Sequence, residues 1–351
     1  MKAIKLFIVD DSAIVRQTIS KLVEGEPDIE LLGIAADPIF AMKRFESVGF
    51  PDVLILDIEM PRMDGITFLK QIMSENPIAT IICSSLAKSG NSKSIEALQA
   101  GAVELIEKPN LQTKAFFEKS KVALLDSIRA ASHAKVKKIS HRIKTVSSEN
   151  DFFEEIKVTH TAVGGKKAIA IGSSTGGVQV LEKILSSLHT VVVPILVTQH
   201  MPAGFTASLA KRLNTLSKLT IKQAEDGDEL LESTVYIAPG DKHMIVQRDG
   251  LKNIIKIKDG PKVSHHRPSV DVLFRSFASA VGKNGVGIIL TGMGNDGAHG
   301  IKEMFDIGAK TYAQDEKSCV VYGMPNEAVK MGGISHSLTI EKIIELIQSI
   351  R

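Results

Sequence analysis

The amino-terminal third of the chain repeats one pattern, and this pattern limits the possible folds more than any other feature. A short, mainly apolar run ends at a polar residue, and a stretch with helical spacing follows. The runs are Lys5–Val9, Asp52–Leu56 and Ala79–Cys83, and the residues after them are Asp10, Asp57 and Ser84. Apolar strands that alternate with helices are typical of parallel sheets covered on both faces. We therefore predict a doubly wound α/β domain.

The remaining elements of this region agree with that prediction. Residues 13–23 and 92–100 have helical spacing, and residues 104–107 form a short extended run before Lys108-Pro109. Residues 112–130 predict an amphipathic helix. Its apolar side is formed by Phe116, Phe117, Leu124, Leu125 and Ile128.

The periodic pattern is lost between about 131 and 165. Five of the ten residues 135–144 are Lys or Arg, and a polar stretch that ends at Gly164-Gly165 follows. We predict a linker with a solvated basic face, and a basic contact patch is the alternative. The chain then divides into a first domain at 1–125, a linker at 126–165 and a second domain at 166–351.

A second α/β pattern begins at residue 166. A helix is predicted at 178–188, and glycine-rich turns follow several of the predicted strands. The candidate strands are 167–171, 192–198, 234–237, 243–247, 253–257 and 286–290. These elements predict a second α/β domain with a mainly parallel sheet.

Composition excludes several classes of protein. Hydrophobic residues make up 44% of the 351 residues and charged residues 24%, which is ordinary for a folded globular chain. A net charge of +3 is too small to indicate a nucleic-acid partner. Two isolated cysteines exclude a disulfide framework and a cysteine zinc site. The longest apolar runs, such as Val191–Val197, are far shorter than the roughly 20 residues of a membrane span. Because Asp10 and Asp11 interrupt the first run too early for a signal peptide, we expect a cytoplasmic protein without direct membrane insertion.

Three carboxylates are expected to meet at the carboxyl edge of the first sheet. Asp10, Asp11 and Asp57 follow predicted strands, and this edge forms the ligand crevice of parallel sheets. Adjacent carboxylates repel one another unless they bind a hard cation such as Mg²⁺. The Ser84 hydroxyl and the Lys108 ammonium follow two further strands and would suit a phosphoryl group on Asp57. For any single one of these residues, a helix cap is the alternative.

Residues 1–125 resemble the receiver domain of two-component response regulators. The resemblance rests on VDDS (9–12), LDIEMPRMDG (56–65), SS (84–85), AGA (100–102) and EKP (107–109). It implies a phospho-acceptor at Asp57, a Mg²⁺ site formed by Asp10, Asp11 and Asp57, and phosphoryl-sensing groups at Ser84 and Lys108. It also implies a histidine kinase as phosphodonor. Leu105 departs from the family pattern, because receivers often have an aromatic switch residue there, and this puts an aromatic rotamer switch in doubt.

A candidate nucleophile lies in the turn GSSTGG (172–177), between a predicted strand and the predicted helix. A hydroxyl at a helix N-terminus is close to free N–H groups that stabilise negative charge. The same turn would suit a phosphate, but it lacks the glycine spacing of dinucleotide folds and the P-loop lysine. It also differs from the G-x-S-x-G turn of α/β-hydrolases. From this motif alone, a nucleophilic serine and a phosphate cradle both remain open.

A candidate base and a candidate orienting acid follow later strands. His200 comes after the run at 192–198, and a histidine there can accept the proton of a serine on the neighbouring strand. Asp296 lies in TGMGNDGAHG (291–300) and could orient His200. His299 in the same stretch is a competing base. The pair His265-His266 has no third ligand at metal spacing, so we predict no zinc site.

The second domain closely resembles the catalytic domain of the CheB family of chemotaxis protein-glutamate methylesterases. The resemblance rests on AIGSSTGG (170–177), QHMPAGFTASLAKRLN (199–214), YIAPGDKHM (236–244), RPSVDVLF (267–274) and TGMGNDG (291–297). It implies that Ser174 is the nucleophile, His200 the base and Asp296 the orienting acid. It further implies that Met293 lends its backbone N–H to the oxyanion and that no cofactor is needed in this domain. Ser173 stands where the family commonly has alanine.

The two resemblances together imply an enzyme whose activity is controlled by phosphorylation. The implied reaction is the hydrolysis of glutamate γ-methyl esters on methyl-accepting chemoreceptors, and deamidation of receptor glutamines is permitted by the same residues. We expect the unphosphorylated receiver domain to cover the active-site face. Two other outputs compete with this interpretation: a DNA-binding or protein-interaction module, and a nucleotide-binding domain that uses GSSTGG as a phosphate cradle.

Overall fold

A computed structural model describes residues 2–84, 90–109, 114–138, 167–189 and 191–351. Most of the predicted linker therefore lies outside the described residues, as do the second half of the basic run and Ser85. The side chains of Phe116 and Phe117 also lie outside them. No helix in the described ranges is long and apolar enough to cross a membrane.

The first domain contains a five-stranded parallel sheet between two layers of helices. The strands are β1 (Ile4–Val9), β2 (Ile29–Ala35), β3 (Val53–Leu56), β4 (Ala79–Ser84) and β5 (Glu104–Glu107), in the order β2-β1-β3-β4-β5. The helices are α1 (Ala13–Val23), α2 (Pro38–Val48), α3 (Gly65–Glu75), α4 (Gly90–Gln99) and α5 (Lys114–Ser132). This architecture confirms the predicted doubly wound α/β fold. β2, α2 and α3 had no residue range in the sequence prediction.

Three helices of the first domain, α1, α2 and α3, begin after residues that cap them. Ser12 accepts a hydrogen bond from the Val15 N–H at the start of α1, and Asp37 accepts one from the Phe40 N–H at the start of α2. Asp64 accepts two N–H groups at the start of α3. Such caps satisfy N–H groups that have no partner within the helix. They fix where each helix begins, and hence the direction of the strand-end loops.

The second domain contains a larger parallel sheet. Its strands are β6 (Ala168–Ser173), β7 (Ile195–Gln199), β8 (Thr220–Gln223), β9 (Thr234–Ile237), β12 (Gly285–Ile289), β13 (Lys310–Gln314) and β14 (His336–Leu338), in the order β14-β13-β12-β6-β7-β9-β8. A separate antiparallel hairpin is formed by β10 (His243–Asp249) and β11 (Lys252–Lys258). All seven strands of the main sheet run parallel, in agreement with the predicted α/β catalytic domain.

Helices cover both faces of the second sheet. They are α6 (Gly177–Ser187), α7 (Phe205–Leu216), α8 (Val270–Val281), α9 (Ala298–Asp306), α10 (Met324–Lys330) and α11 (Ile340–Ser349). The strand order reverses between β6 and β12, so the carboxyl ends of these two central strands open a crevice. β7 begins three residues later than the predicted strand 192–198, directly after Pro194, which has no N–H to donate.

The described domains share one apolar core. Leu98 and Leu105 from the first domain belong to the same cluster of buried side chains as Val178 and Met201 from the second. α4 packs against both α6 and α7. α5 ends at Ser132 and so continues into the range that we assign to the linker. The boundaries 1–125, 126–165 and 166–351 therefore stay predictions.

Candidate active site

The first polar site lies at the carboxyl ends of β1, β3 and β5. Lys108 Nζ lies 2.8 Å from Asp57 Oδ2 and 2.9 Å from Asp10 Oδ2. Asp10 and Asp57 are 1% and 4% exposed, whereas Asp11 is exposed. The structure thus gathers the three carboxylates and the lysine that the sequence singled out.

Lys108 only partly compensates the cost of burying these two negative charges. Burial raises the pKa of Asp10 and of Asp57 above the ordinary aspartate value, more than the hydrogen bonds and charge of Lys108 lower it. The pKa of Lys108 is also raised, because its two carboxylate partners outweigh its own burial. Lys108 is the one donor that contacts Asp10 Oδ2 among the described residues. The site therefore has spare negative charge and spare acceptor atoms.

This arrangement fits a hard divalent cation. One carboxylate oxygen from each of Asp10, Asp11 and Asp57 can lie within 4.8 Å of the others. Oxygen ligands of this kind suit Mg²⁺, which keeps several waters and binds to a few carboxylates. Two buried carboxylates that share a single ammonium group are the observation that such a cation would explain.

The two proposed phosphoryl-sensing residues flank this site differently. Ser84 ends β4, is buried and accepts a hydrogen bond from the Ser94 hydroxyl in α4 at 3.1 Å. Lys108 directly follows β5 and contacts the carboxylates. Leu105 occupies the position at which receiver domains often have an aromatic residue. It is buried within β5 and lines the cavity between the two domains.

The second polar site lies at the carboxyl ends of β6, β7 and β12. Ser174 Oγ lies 3.1 Å from His200 Nδ1, and His200 Nε2 lies 2.8 Å from Asp296 Oδ2. The three side chains are 6%, 8% and 1% exposed. A hydroxyl, an imidazole and a carboxylate in this sequence of contacts have the geometry of a serine triad.

The imidazole faces its partners through the nitrogens opposite to those of chymotrypsin-like proteases. There, Nε2 contacts the serine and Nδ1 contacts the carboxylate, whereas here Nδ1 faces Ser174 and Nε2 faces Asp296. Either nitrogen can accept a proton while the other donates one. The carboxylate on Nε2 favours the tautomer that leaves Nδ1 free to accept the serine proton.

Asp296 is held by more donors than any other group in this site. Its Oδ1 accepts hydrogen bonds from the Ser269 hydroxyl (2.8 Å) and the Asp271 N–H (3.1 Å), and its Oδ2 accepts one from the Val270 N–H (2.7 Å). These donors form the N-terminus of α8, which favours a negative charge. Burial alone would raise the pKa of Asp296, but the hydrogen bonds from His200 and the helix lower it below the ordinary value. Asp296 therefore stays ionised.

The stretch after β12 also brings a backbone donor near the serine. Gly292 packs so tightly against Ser174 that a methyl group on its α-carbon would lie 2.6 Å from the serine Cβ. Met293 follows, and its N–H donates to no group of the described residues. A free N–H beside a nucleophile is what an oxyanion site requires.

Two histidines were assigned differently by sequence and structure. His299, the competing base, lies on α9 and is exposed, while His200 occupies the site. His266 stacks on His200 with ring centroids 3.7 Å apart and planes 7° from parallel. Burial and the neighbouring His200 charge lower the pKa of His266 to about 2, so its ring is neutral. The sequence considered His266 only as a metal ligand and gave no signal for this contact.

The first domain covers the second polar site. The cavity beside Ser174 and His200 is also lined by Val103, Glu104 and Leu105. The Gly176 N–H donates to the Val103 carbonyl at 2.9 Å, and the Thr175 hydroxyl donates to Glu104 Oε2 at 2.5 Å. Substrate access to the serine is therefore closed in this arrangement.

Further hydrogen bonds join the two domains next to the covered serine. Gln179 Nε2 donates to the carbonyls of Leu98 (2.6 Å) and Ala102 (2.8 Å), and the Gln99 amide donates to Glu182. Close to Gly176, the Lys135 N–H donates to the Val320 carbonyl at 2.9 Å. The last contact ties the start of the predicted linker to the second domain.

Comparisons with known proteins match both domains. The CheB methylesterase family matches residues 169–347, and the response regulator receiver domain family matches residues 6–117. Together the two matches include both polar sites. They confirm both resemblances drawn from the sequence.

Curated relatives match the chain over nearly its full length. A protein of Shewanella oneidensis named protein-glutamate methylesterase/protein-glutamine glutaminase 3 is 51% identical over 97% of this chain and 98% of its own. A protein of the same name from Geobacter metallireducens is 48% identical over 98% of each chain. The crystal structure of the Thermotoga maritima CheB methylesterase catalytic domain is 40% identical, with a TM-score of 0.51, over 52% of this chain and 97% of that structure. The chain is therefore a hydrolase that belongs to the CheB methylesterase family and carries a response regulator receiver domain.

Proposed function

We propose that this protein hydrolyses glutamate γ-methyl esters on chemoreceptors, and that phosphorylation of Asp57 activates it. The contact chain Ser174–His200–Asp296 carries the first part of the proposal, because it supplies a nucleophile, a base and an ionised orienting group. The names of the relatives support the substrate and add glutamine deamidation. Deamidation uses the same steps, with ammonia leaving in place of methanol.

Acylation begins at the serine hydroxyl. Ser174 Oγ attacks the ester carbonyl carbon while its proton passes to His200 Nδ1, and the C=O electron pair becomes an oxyanion. The Met293 N–H, and the N–H groups of the turn that begins α6, stabilise this oxyanion. Each such donor is worth about 3 kcal/mol in the transition state. The C–OCH₃ bond then breaks, methoxide takes the proton from His200, and methanol leaves.

Deacylation repeats these steps with water. His200 Nδ1 accepts a proton from the attacking water, and the hydroxyl adds to the acyl carbon. The bond to Ser174 Oγ breaks, and the serine recovers its proton from His200. Asp296 stays ionised throughout and stabilises the imidazolium that forms in both halves.

The receiver domain controls the access of substrate to Ser174. Asp57 accepts the phosphoryl group from the phosphohistidine of a kinase. Asp10, Asp11 and Asp57 would hold Mg²⁺, whose charge would offset that of the phosphoryl oxygens. Ser84 and Lys108 contact the new oxygens. Lys108 then leaves its present ion pairs, and because it directly follows β5, the shift reaches Val103 and Glu104 at the other end of this strand. Weaker docking of β5 exposes Ser174.

Methanol release from methylated receptor membranes tests the proposal, with and without a small phosphodonor and Mg²⁺. The wild type should release methanol faster with the phosphodonor, Asp57→Ala should lose this increase, and Ser174→Ala should release none. Near-normal release by Ser174→Ala would refute the triad. If the fragment 166–351 is no faster than the intact unphosphorylated chain, occlusion by the receiver domain is wrong.

A further inference from the structure

We infer that the turn Thr175-Gly176 is a binding subsite for a glutamate side chain, and that Glu104 of the receiver domain fills it as an internal product analogue. The inference rests on the proposed function and extends it. Occlusion requires only that the receiver domain lies over the serine. Product mimicry requires that one receiver side chain uses the groups that bind the substrate's own glutamyl residue.

Two consecutive residues of the receiver domain are bound by two consecutive residues of the turn. The Thr175 hydroxyl donates to the Glu104 carboxyl, and the Gly176 N–H donates to the carbonyl of Val103. The turn therefore holds both a glutamate side chain and the backbone carbonyl that precedes it. A receptor segment with a glutamyl residue offers the same two acceptors.

The position of this turn matches the chemistry of the reaction. Thr175 directly follows Ser174, and Glu104 lines the same cavity as Ser174 and His200. The reaction leaves a glutamate carboxyl beside the serine, so a carboxyl held one residue from the nucleophile has the composition of the product. The turn also begins α6, whose N-terminus stabilises partial negative charge on a bound oxygen.

The burial of Glu104 makes its carboxyl group resemble the substrate as well as the product. Burial raises the pKa of Glu104, and the hydrogen bond from Thr175 offsets this only in part. Glu104 presents a carboxyl oxygen where a methyl ester or an amide presents its carbonyl oxygen, and a raised pKa favours the uncharged form that resembles these groups. The glutamine at the same position would present that oxygen at every pH.

Another contact across the same interface provides a matched control. Gln99, at the end of α4, donates to Glu182 on α6. This hydrogen bond also joins the two domains, but neither residue lines the cavity beside the serine. If the docked receiver domain acts only through its area, Gln99 and Glu104 should matter equally.

The first experiment measures methanol release by the full-length unphosphorylated protein. Glu104→Ala should raise the rate about tenfold, the effect of losing one hydrogen bond of ordinary strength, while Gln99→Ala should raise it less than twofold. Glu104→Gln should stay within twofold of the wild type. With phosphodonor and Mg²⁺, all three variants should reach the wild-type rate, which shows that they fold. Equal increases in Glu104→Ala and Gln99→Ala would overturn the inference, and so would derepression by Glu104→Gln.

The second experiment measures inhibition of the phosphodonor-activated protein by a receptor peptide that contains unmethylated glutamate. The peptide should inhibit the wild type competitively, and Thr175→Val should weaken this inhibition about tenfold. Equal inhibition of both proteins would overturn the subsite. In both experiments, Ser174-dependent methanol release by the wild type reports the proposed function separately, so either inference can fail alone.

Discussion

The two polar sites of this chain have a similar position in their sheets, but the pKa values of their buried aspartates are shifted in opposite directions. Each lies at the carboxyl edge of a parallel sheet, and each contains buried aspartates. In the receiver domain, burial dominates and raises the pKa of Asp10 and Asp57. In the catalytic domain, four donors converge on Asp296. The hydrogen bonds from His200, Val270 and Asp271 lower its pKa although it is as buried as Asp10.

This difference corresponds to the role that the proposed function gives to each carboxylate. In that proposal Asp57 gains a cation and a phosphoryl group, so an incompletely satisfied carboxylate is suitable. Asp296 needs to remain charged and fixed through every turnover, so a fully satisfied one is suitable. The number of hydrogen-bond donors around a buried aspartate therefore distinguishes a site that changes state from one that does not.

Replacing the satisfied carboxylate should have the largest effect. Asp296→Asn removes the charge that fixes the tautomer of His200, so we expect kcat for methanol release to fall about 10⁴-fold. Phosphorylation of Asp57 should be unchanged. Asp271→Asn, a buried carboxylate at the same helix N-terminus, should cost less than about tenfold because Asp271 does not contact His200. A similar loss in both variants would contradict the assigned role of Asp296.

Removing the cation should affect the other site alone. Chelation of Mg²⁺ should return methanol release in the presence of phosphodonor to the unstimulated rate, because the charge of the phosphoryl group is then uncompensated. The rate without phosphodonor should not change, because the contacts of Ser174, His200 and Asp296 include none of the residues that would hold Mg²⁺. A fall of both rates after chelation, reversed by Mg²⁺, would contradict this separation.

Removing one donor from Asp296 should have an intermediate effect. Ser269→Ala deletes the hydroxyl that donates to Asp296 and caps α8. We expect kcat to fall about tenfold and stability to fall by about 1 kcal/mol, as for the loss of an ordinary cap. Ser269→Thr retains the hydroxyl and should restore most of both. Unchanged kinetics in Ser269→Ala would show that the remaining donors suffice.

The smallest expected effect is a gain in stability, whereas the variants above lose activity or stability. Asp10→Asn removes one of the crowded buried charges, and Lys108 keeps its contact with Asp57. We expect the metal-free protein to gain about 1 kcal/mol of stability at neutral pH, measured by denaturant unfolding of the full chain. Binding of Mg²⁺ should weaken in the same variant. Destabilisation would mean that Asp10 is as well satisfied as Asp296.

The sequence predicted most of the strands that are buried on both faces and missed three strands at the sheet edges, β2, β8 and β14. The edge strand β5 was found, whereas the internal strand β13 was missed, because Lys310, Thr311 and Gln314 make its sequence largely polar. β1, β3 and β4 are mainly apolar and were found. β2 contains the exposed Leu31 and alternates irregularly, and β8 and β14 are short edge strands with exposed residues. An edge strand needs fewer apolar residues, so its pattern is weaker.

The residues of the two polar sites could be predicted only where they follow a strand with a strong apolar pattern. Strand ends indicated Asp10, Asp57 and His200, because polar residues after buried strands interrupt a strong pattern. Residue chemistry alone did not choose between His200 and His299, and the family resemblance did. Ser269 and His266 were missed because their roles come from long-range packing on Asp296 and His200, which leaves no periodic signal.

The contact between Lys135 and Val320 has a consequence for how the protein returns to rest. It attaches the beginning of the linker to the catalytic domain beside Gly176, against which the Val320 side chain packs. A receiver domain released from the serine would then remain tethered close to its docking surface. Its effective concentration there is set by the chain and not by the number of molecules. Recapture should thus be first order, and each molecule would end its own active period independently of how much protein is present.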